Sequence, residues 1–476
     1  MEDRKKGFGT GGWVPLDRKI SRRKFLRMVG AGAGAAAVPG LLAACGGDTQ
    51  QQSNAPSAKS VEGKLTFWYW GESDAPGTND WMDENVKAYK KEKPDLEISV
   101  VPQATDTLIS SFQAAVSAQQ GPDIASQWAT GPVLTQVWQD AVVPISDYVP
   151  KSETDQWLNT MENTLDGKLW AMPMYLIGIA VAYNKEHFQK AGLDPENPPQ
   201  TWDDLLSACE KLKGSGVTPL SIGNQDGYGG AWFFANMQLQ NLDSLAEWVD
   251  AIVAGTELSK SKYTGWYELL DELVKKKYFN DSVNSLKLDQ GHSIFSRGQS
   301  AMSLGTDGIV GQWQNDLGAE KVGVMKMPKF ANGQLAQGFN ATQSISYFIC
   351  KWSKNKQEAA DFLRFMHTPE RIKRWYELTG VGVADKRFDA AAIQDPVLKQ
   401  MYEWETRGTQ VWLENYNPVQ VDSEANIPAG QLIFSQSGSP SEASQLWVQV
   451  ARRWQTQQPE QYQDWKSWKP AEPTGV

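Results

Sequence analysis

Three segments of this chain place aromatic rings beside carboxylates or amides. They are Trp70-Gly71-Glu72, Gln127-Trp128, and Asn224-Gln225-Asp226-Gly227-Tyr228-Gly229-Gly230-Ala231-Trp232. Indole and phenol faces stack on weakly apolar C–H surfaces, while carboxylates accept hydrogen bonds from hydroxyl groups. That mixture suits reversible binding of hydroxyl-bearing rings. Asp307, in Gly305-Thr306-Asp307-Gly308-Ile309, adds another acid, and Tyr175 and Asn340 fall on expected strand edges. Asp226 and Asp307 would also serve as an acid pair for glycoside cleavage, with their separation setting the stereochemistry. Acids in a binding cleft need no catalytic role, however, because accepting hydrogen bonds is enough. For Trp70 the competing expectation is packing under the first helix, and for Trp232 it is the core.

Other reactive signals lead nowhere. Gly30-Ala31-Gly32-Ala33-Gly34 imitates part of a dinucleotide loop but lies in a leader-like segment. His187, His292 and His367 are isolated from each other and from cysteine, so no metal site is expected. The chain has no Gly-x-Ser-x-Gly elbow, His-Glu-x-x-His helix or phosphate loop, and no cofactor is expected.

The first 45 residues carry chemistry of another kind. Ser21-Arg22-Arg23-Lys24-Phe25-Leu26 is a twin-arginine pattern, and an apolar run from Met28 to Ala44 ends in Leu42-Ala43-Ala44-Cys45. Basic segment, apolar segment, small residues and cysteine is the order of an export signal with a lipoprotein cleavage site. Glycines and Pro39 interrupt the run, which is short for a membrane span of roughly 20 apolar residues. The reading is cleavage before Cys45, lipid on its sulfur, and a flexible tether over 45–62. Residues 1–44 hold nine Lys/Arg and three Asp/Glu, a net of +6. Of the chain's −10, the remainder therefore carries about −16, and nucleic acid is excluded as a partner. Cys209 and Cys350 read as buried free thiols rather than a disulfide.

The elements that must position the candidate residues follow from periodicity. Strands at 64–70, 97–101 and 123–125 alternate with helices at 81–93 and 105–119, which argues for a parallel sheet with helices on both faces. Further strands are predicted at 176–183, 218–222, 301–304 and 345–350. Thr201-Trp202-Asp203-Asp204 resembles a capping box. The C-terminal third reads mainly as helices and polar loops.

Several segments resemble one family, the extracellular solute-binding proteins of family 1, which are carbohydrate-type receptors of ATP-binding-cassette importers and include the maltose-binding protein group. The resemblance rests on Asp166-Gly167-Lys168-Leu169-Trp170-Ala171-Met172-Pro173, Ala182-Tyr183-Asn184-Lys185, Pro199-Gln200-Thr201-Trp202-Asp203-Asp204-Leu205, Phe295-Ser296-Arg297-Gly298-Gln299-Ser300-Ala301-Met302 and Gly438-Ser439-Pro440-Ser441-Glu442-Ala443. It implies an α/β, two-lobed periplasmic-binding-protein fold of type II. Each lobe would be a mainly parallel sheet flanked by helices, with the ligand cleft between lobes. Lobe one is expected at 63–176 plus 303–367, and lobe two at 177–302 plus 368–476. Crossings are expected near Met174–Gly178, Ala301–Leu304 and Met366–Glu370.

The resemblance also implies ligand contacts from Trp70, Glu72, Gln127, Trp128, Tyr175, Asp226, Tyr228, Trp232, Asp307 and Asn340. The family often carries tryptophan where Asp307 stands, which implies a more polar cleft than a maltodextrin site. The implied function is a monomeric, non-enzymatic receptor, anchored outside the cytoplasmic membrane or at the cell surface through lipid on Cys45. It would bind a carbohydrate and deliver it to the transmembrane subunits of an ABC permease. A polyamine or phosphate ester is the alternative solute, and an exported glycoside-processing enzyme the alternative class.

Overall fold

The computed structural model describes residues 62–407 and 410–473. The expected export signal, Cys45 and nearly all of the expected tether lie outside the described residues.

β1 (Lys64–Tyr69), β2 (Glu97–Pro102) and β3 (Ile124–Trp128) form the parallel start of a sheet, as the alternation predicts. β4 (Val142–Val143) is followed by a small hairpin of β5 (Thr164–Leu165) and β6 (Lys168–Leu169), then β7 (Met172–Pro173). β8 (Leu176–Asn184) is buried along its whole length and opens a second sheet with β9 (Thr218–Ser221), β10 (Ser300–Thr306) and β11 (Val322–Met325). β12 (Ala341–Gln343) pairs with the start of β8, and β13 (Ile345–Cys350) returns to the first sheet. The sheet orders are β2-β1-β3-β13-β4, with β7 on β13, and β11-β8-β10-β9. Parallel pairing holds for β1 with β2 and β3 and for β9 with β10; β8 and β13 run antiparallel to their neighbours. Both of those strands enter their sheets from the other sheet, which reverses their direction.

The first crossing lies at Met174–Tyr175, where it is expected. The second does not. β10 bonds to β8 and β9 and so sits inside the second sheet; the return passes through β12, Ser344 and β13. The third expected crossing is also displaced. Helix Pro369–Thr379 packs on helix Thr78–Glu92, with the Trp375 and Trp81 rings 5.1 Å apart, and the same core continues through Val381, Val383 and Ile393. Helix Pro396–Thr406 then packs on β8 and β11 while its Tyr402 still reaches back into that core. A short apolar run has the same local pattern in a sheet interior as in a crossover; the pairing partner decides, and it is distant in sequence.

Local capping follows the sequence closely. Thr201 and Asp204 form the expected reciprocal box at the start of helix Trp202–Gly214. Cys209 and Cys350 are buried and unbridged. A C-terminal helix, Pro459–Ser467, carries Trp465 to 5.9 Å from Trp138, on the helix that follows β3. Downstream of it, Glu472 accepts the Leu245 and Ala246 N–H groups at the start of helix Leu245–Ala254, 2.8 and 2.9 Å away. The C-terminal segment thus ties the first sheet's helix to the core of the second. No described helix is long and apolar enough to cross a membrane.

Candidate functional site

The loops after β1, β3 and β10 and before helix Tyr228–Gln238 carry most of the candidate residues. Trp70 is buried, with its indole N–H donating to the Thr105 hydroxyl at 2.9 Å. The Trp128 ring meets it edge to face at 5.7 Å and remains half-buried. Trp70 therefore fixes the pose of Trp128, whose outer surface is available for stacking.

Asp74, one turn of loop beyond Trp70, is the hub of the site. Its carboxylate accepts hydrogen bonds from the Ser344 hydroxyl at 2.6 Å and the Tyr175 hydroxyl at 3.4 Å. The Tyr175 ring stacks on Trp375 at 5.0 Å. Burial pushes the Asp74 carboxyl up to about 6, against the lowering effect of those two bonds. Across the seam, Gly308 lies so close that a Cβ there would stand 2.8 Å from the Asp74 carbonyl oxygen. Asp307, its neighbour, is buried, and one carboxylate oxygen has no partner. Burial and then the Asp74 charge raise its pKa. The Gly178 backbone lies against both Asp307 and the buried Glu405, whose pKa is raised by burial and then by Asp307. Each of these carboxyls thus disfavours ionisation of the other.

Tyr228 opens its helix because Gly227 takes a left-handed φ of 87° with Ile427 packed against it, a turn that a side chain would block. Its phenol is pushed up to about 12, first by burial and then by Glu414, Asp226, Asp422 and Asp74. The hydroxyl thus keeps its proton in a field set by acids. Asp226 accepts the Leu288 N–H at 3.2 Å through one oxygen and leaves the other unpartnered. Asp422 takes amide hydrogens from Asn417 and Asn426 at 3.1 and 2.9 Å, and burial raises it to about 6 despite them. Glu414 is raised by burial and then by Asp422, partly offset by a hydrogen bond from the Trp412 side chain.

The expected residues thus divide into two groups. Trp70 and Trp128 form a pair; Tyr175 bonds to Asp74, whose charge also acts on Asp307 and Tyr228, and Asp226 acts on Tyr228. Glu72, Gln127, Trp232 and Asn340 stand apart from that convergence. Both Glu72 oxygens are taken by the Gly77 and Asn79 N–H groups, at 3.1 and 2.8 Å, at a helix N-terminus. The Gln127 amide is buried and donates to the Leu108 carbonyl at 3.3 Å. Trp232 is buried and stacks on His292 at 5.6 Å. Asn340 is buried beside a separate cavity. Sequence reasoning missed Asp74, Glu405, Glu414 and Asp422. Only Asp74 had a local signal, its place in the post-strand loop beside Glu72. Among the described residues, no group of three or more His, Cys, Asp or Glu is arranged to hold a metal ion.

Residues 84–399 match the family described as bacterial extracellular solute-binding protein. The chain belongs to that family. Among curated relatives of this solute-binding chain are sn-glycerol-3-phosphate-binding periplasmic proteins from Shigella dysenteriae and Escherichia coli K12. Each is 26% identical over 338 residues, covering 66% of this chain and 73% of theirs. Solved structures share the type II fold. One, from work on xylan utilisation by Caldanaerobius polysaccharolyticus, has a TM-score of 0.70 at 21% identity, covering 81% of this chain and 99% of its own. A chitin oligosaccharide binding protein has a TM-score of 0.72 at 18% identity, covering 82% and 98%. The relatives are binding proteins rather than enzymes.

The site makes a prediction that separates the two indoles. Trp128→Ala weakens solute binding about tenfold, the worth of one good stacking contact, with little change in melting temperature. Trp232→Ala instead lowers the melting temperature, because it removes a buried ring from the core. Calorimetric titration and thermal melts of both variants check this, and equal behaviour would refute the division.

Proposed function

We propose that this chain is an extracytoplasmic receptor that encloses a carbohydrate between its two sheets and delivers it to an ABC import permease. In this reading the sheet units act as lobes, with boundaries near 175, 344 and 394 rather than at the positions expected from sequence. Trp128 and Tyr228 supply the stacking faces, and Asp74, Asp226, Asp307, Glu414 and Asp422 accept sugar hydroxyls. Glu72, Gln127, Trp232 and Asn340 are given supporting roles.

One observation carries the choice of solute: four carboxylates act together on Tyr228. A phosphate dianion there is repelled by whichever of them are ionised and finds no cation among them, and burial weakens the screening of that repulsion. Neutral hydroxyls are accepted by the same groups without penalty. Solutes of the glycerol-phosphate relatives therefore fit this cleft poorly, whereas the fold neighbours named for chitin oligosaccharide and raffinose point to sugars. The glycosidase reading has less support, since the acids whose charges bear on Asp307 and Glu405 are Asp74 and Asp307, not Asp226.

The test is calorimetric titration of the purified protein with chito-, xylo- and malto-oligosaccharides, raffinose, spermidine and glycerol 3-phosphate. A neutral sugar is expected to bind, to lose affinity in Trp128→Ala, and to remain chemically intact. Glycerol 3-phosphate is expected not to compete with it. Binding of the phosphate ester that Trp128→Ala abolishes would overturn the carbohydrate assignment, and release of product would revive the enzyme.

The anchoring belongs to the same proposal and is supported by the order of basic, apolar and small residues before Cys45. Cys45→Ala is expected to accumulate as an unprocessed precursor without lipid. Metabolic labelling with a radioactive fatty acid checks this, and a labelled, shortened variant would refute it.

A further inference from the structure

Beside the acidic site lies a cavity of about 120 Å³ with the opposite electrical character. Lys326 and Lys329 line it, and no aspartate or glutamate does. In a chain of net charge −10 that segregation is unusual.

Two of its wall residues have hydrogen-bonding capacity that the protein leaves unused. The Asn340 side chain is 2% exposed, and neither its amide nitrogen nor its amide oxygen has a partner among the described residues. Such groups are almost always satisfied in native interiors. Lys326 is half-buried; its ammonium donates to the Gln337 carbonyl at 3.2 Å and stands 5.7 Å from the Phe339 and Trp404 ring centres. Burial lowers its pKa, and no carboxylate acts on it in the opposite sense. A desolvated cation and an orphaned amide on one cavity wall are complementary to an anion with several acceptor oxygens. The space equals that of about four water molecules, which admits one tetrahedral or planar oxyanion.

We propose that this cavity is a small-oxyanion site, distinct from the acid-lined sugar cleft, with Lys326 and Asn340 as its principal donors. Its occupant is either a free phosphate-type ion or the anionic group of a charged sugar. The assignment does not depend on which solute the cleft takes, since it is tested with phosphate alone.

The experiment titrates the purified protein with inorganic phosphate in chloride-free buffer at pH 7, by calorimetry, for wild type, Lys326→Met and Asn340→Asp. Asn340→Asp keeps the side chain's shape while setting a negative charge on the cavity wall. One phosphate per chain is expected to bind wild type, with affinity at least tenfold lower in each variant. Thermal melts without phosphate confirm that both variants fold; if one does not, Lys329→Met replaces it. Competition by glucuronate would assign the site to the anionic group of a sugar, and absence of competition would assign it to the free ion. Either result supports the site. No saturable heat up to millimolar phosphate, or equal binding in folded variants, would overturn it.

Discussion

Gly308→Ala is expected to weaken solute binding about a hundredfold while lowering the stability of the unliganded protein far less. The two halves of that result have separate causes. Gly308 lies in the first turn of helix Asp307–Leu317, where alanine is the better helix former by up to about 1 kcal/mol. Helix propensity therefore offsets part of the cost of the contact that the methyl makes. The added methyl, however, would stand 2.8 Å from the Asp74 carbonyl oxygen, on a loop of the opposite sheet unit. That partner is backbone and cannot swing aside. Relief requires the two units to separate slightly along the seam that Asp74, Asp307 and Gly178 define. Stacking and hydrogen bonds demand placement within a few tenths of an ångström, so a small separation loosens every contact to an enclosed solute at once. Calorimetric titration gives the affinity and differential scanning calorimetry the stability of the free protein. Unchanged affinity would mean that this seam does not close on the solute, and with it the reading of Asp74 as the hub would fail.

What the sequence made legible is mostly local. Strands β1 to β3, the capping box at Thr201 and the crossing at Met174–Tyr175 are written in short-range patterns and stand as expected. Trp70 and Trp128 were recognisable because each sits at or just past the end of a strand, and their ring contact follows from β1 and β3 being neighbours. The acids were harder. Asp74, Glu405, Glu414 and Asp422 come together from segments more than 300 residues apart, and nothing in a polar loop announces which acid will be desolvated. Glu72 shows the converse. Its residue type and position suit a ligand contact equally well, but the free N–H groups of helix Thr78–Glu92 compete for it and hold both oxygens. Trp232 was open between platform and core, and its helical register turns it onto His292.

Glu162→Gln is expected to make the protein more stable than wild type at pH 8.5 while leaving the two nearly equal at pH 4.5. Glu162 is buried beneath β12, where one of its oxygens accepts the Thr342 hydroxyl at 2.7 Å and the Gln343 N–H at 3.3 Å. Burial raises its pKa from an ordinary 4.5 to about 8, and those bonds only partly oppose the rise. Between these values the folded chain holds a proton that the unfolded chain releases. Stability from this group is therefore intact below about 4.5 and is lost as pH climbs through the window, by about 1.4 kcal/mol per pH unit, reaching its full cost above about 8. Glutamine keeps a carbonyl to accept from Thr342 and Gln343 and never ionises, so it escapes that loss. Asp74, Asp307 and Asp422 are also raised and tilt the wild-type curve in the same direction, which is why the difference between variant and wild type is the quantity to follow. Urea unfolding at several pH values supplies it. Parallel curves would show that Glu162 is ionised in the fold at neutral pH, and that the strand returning to the first sheet crosses over a buried charge rather than a neutral acid.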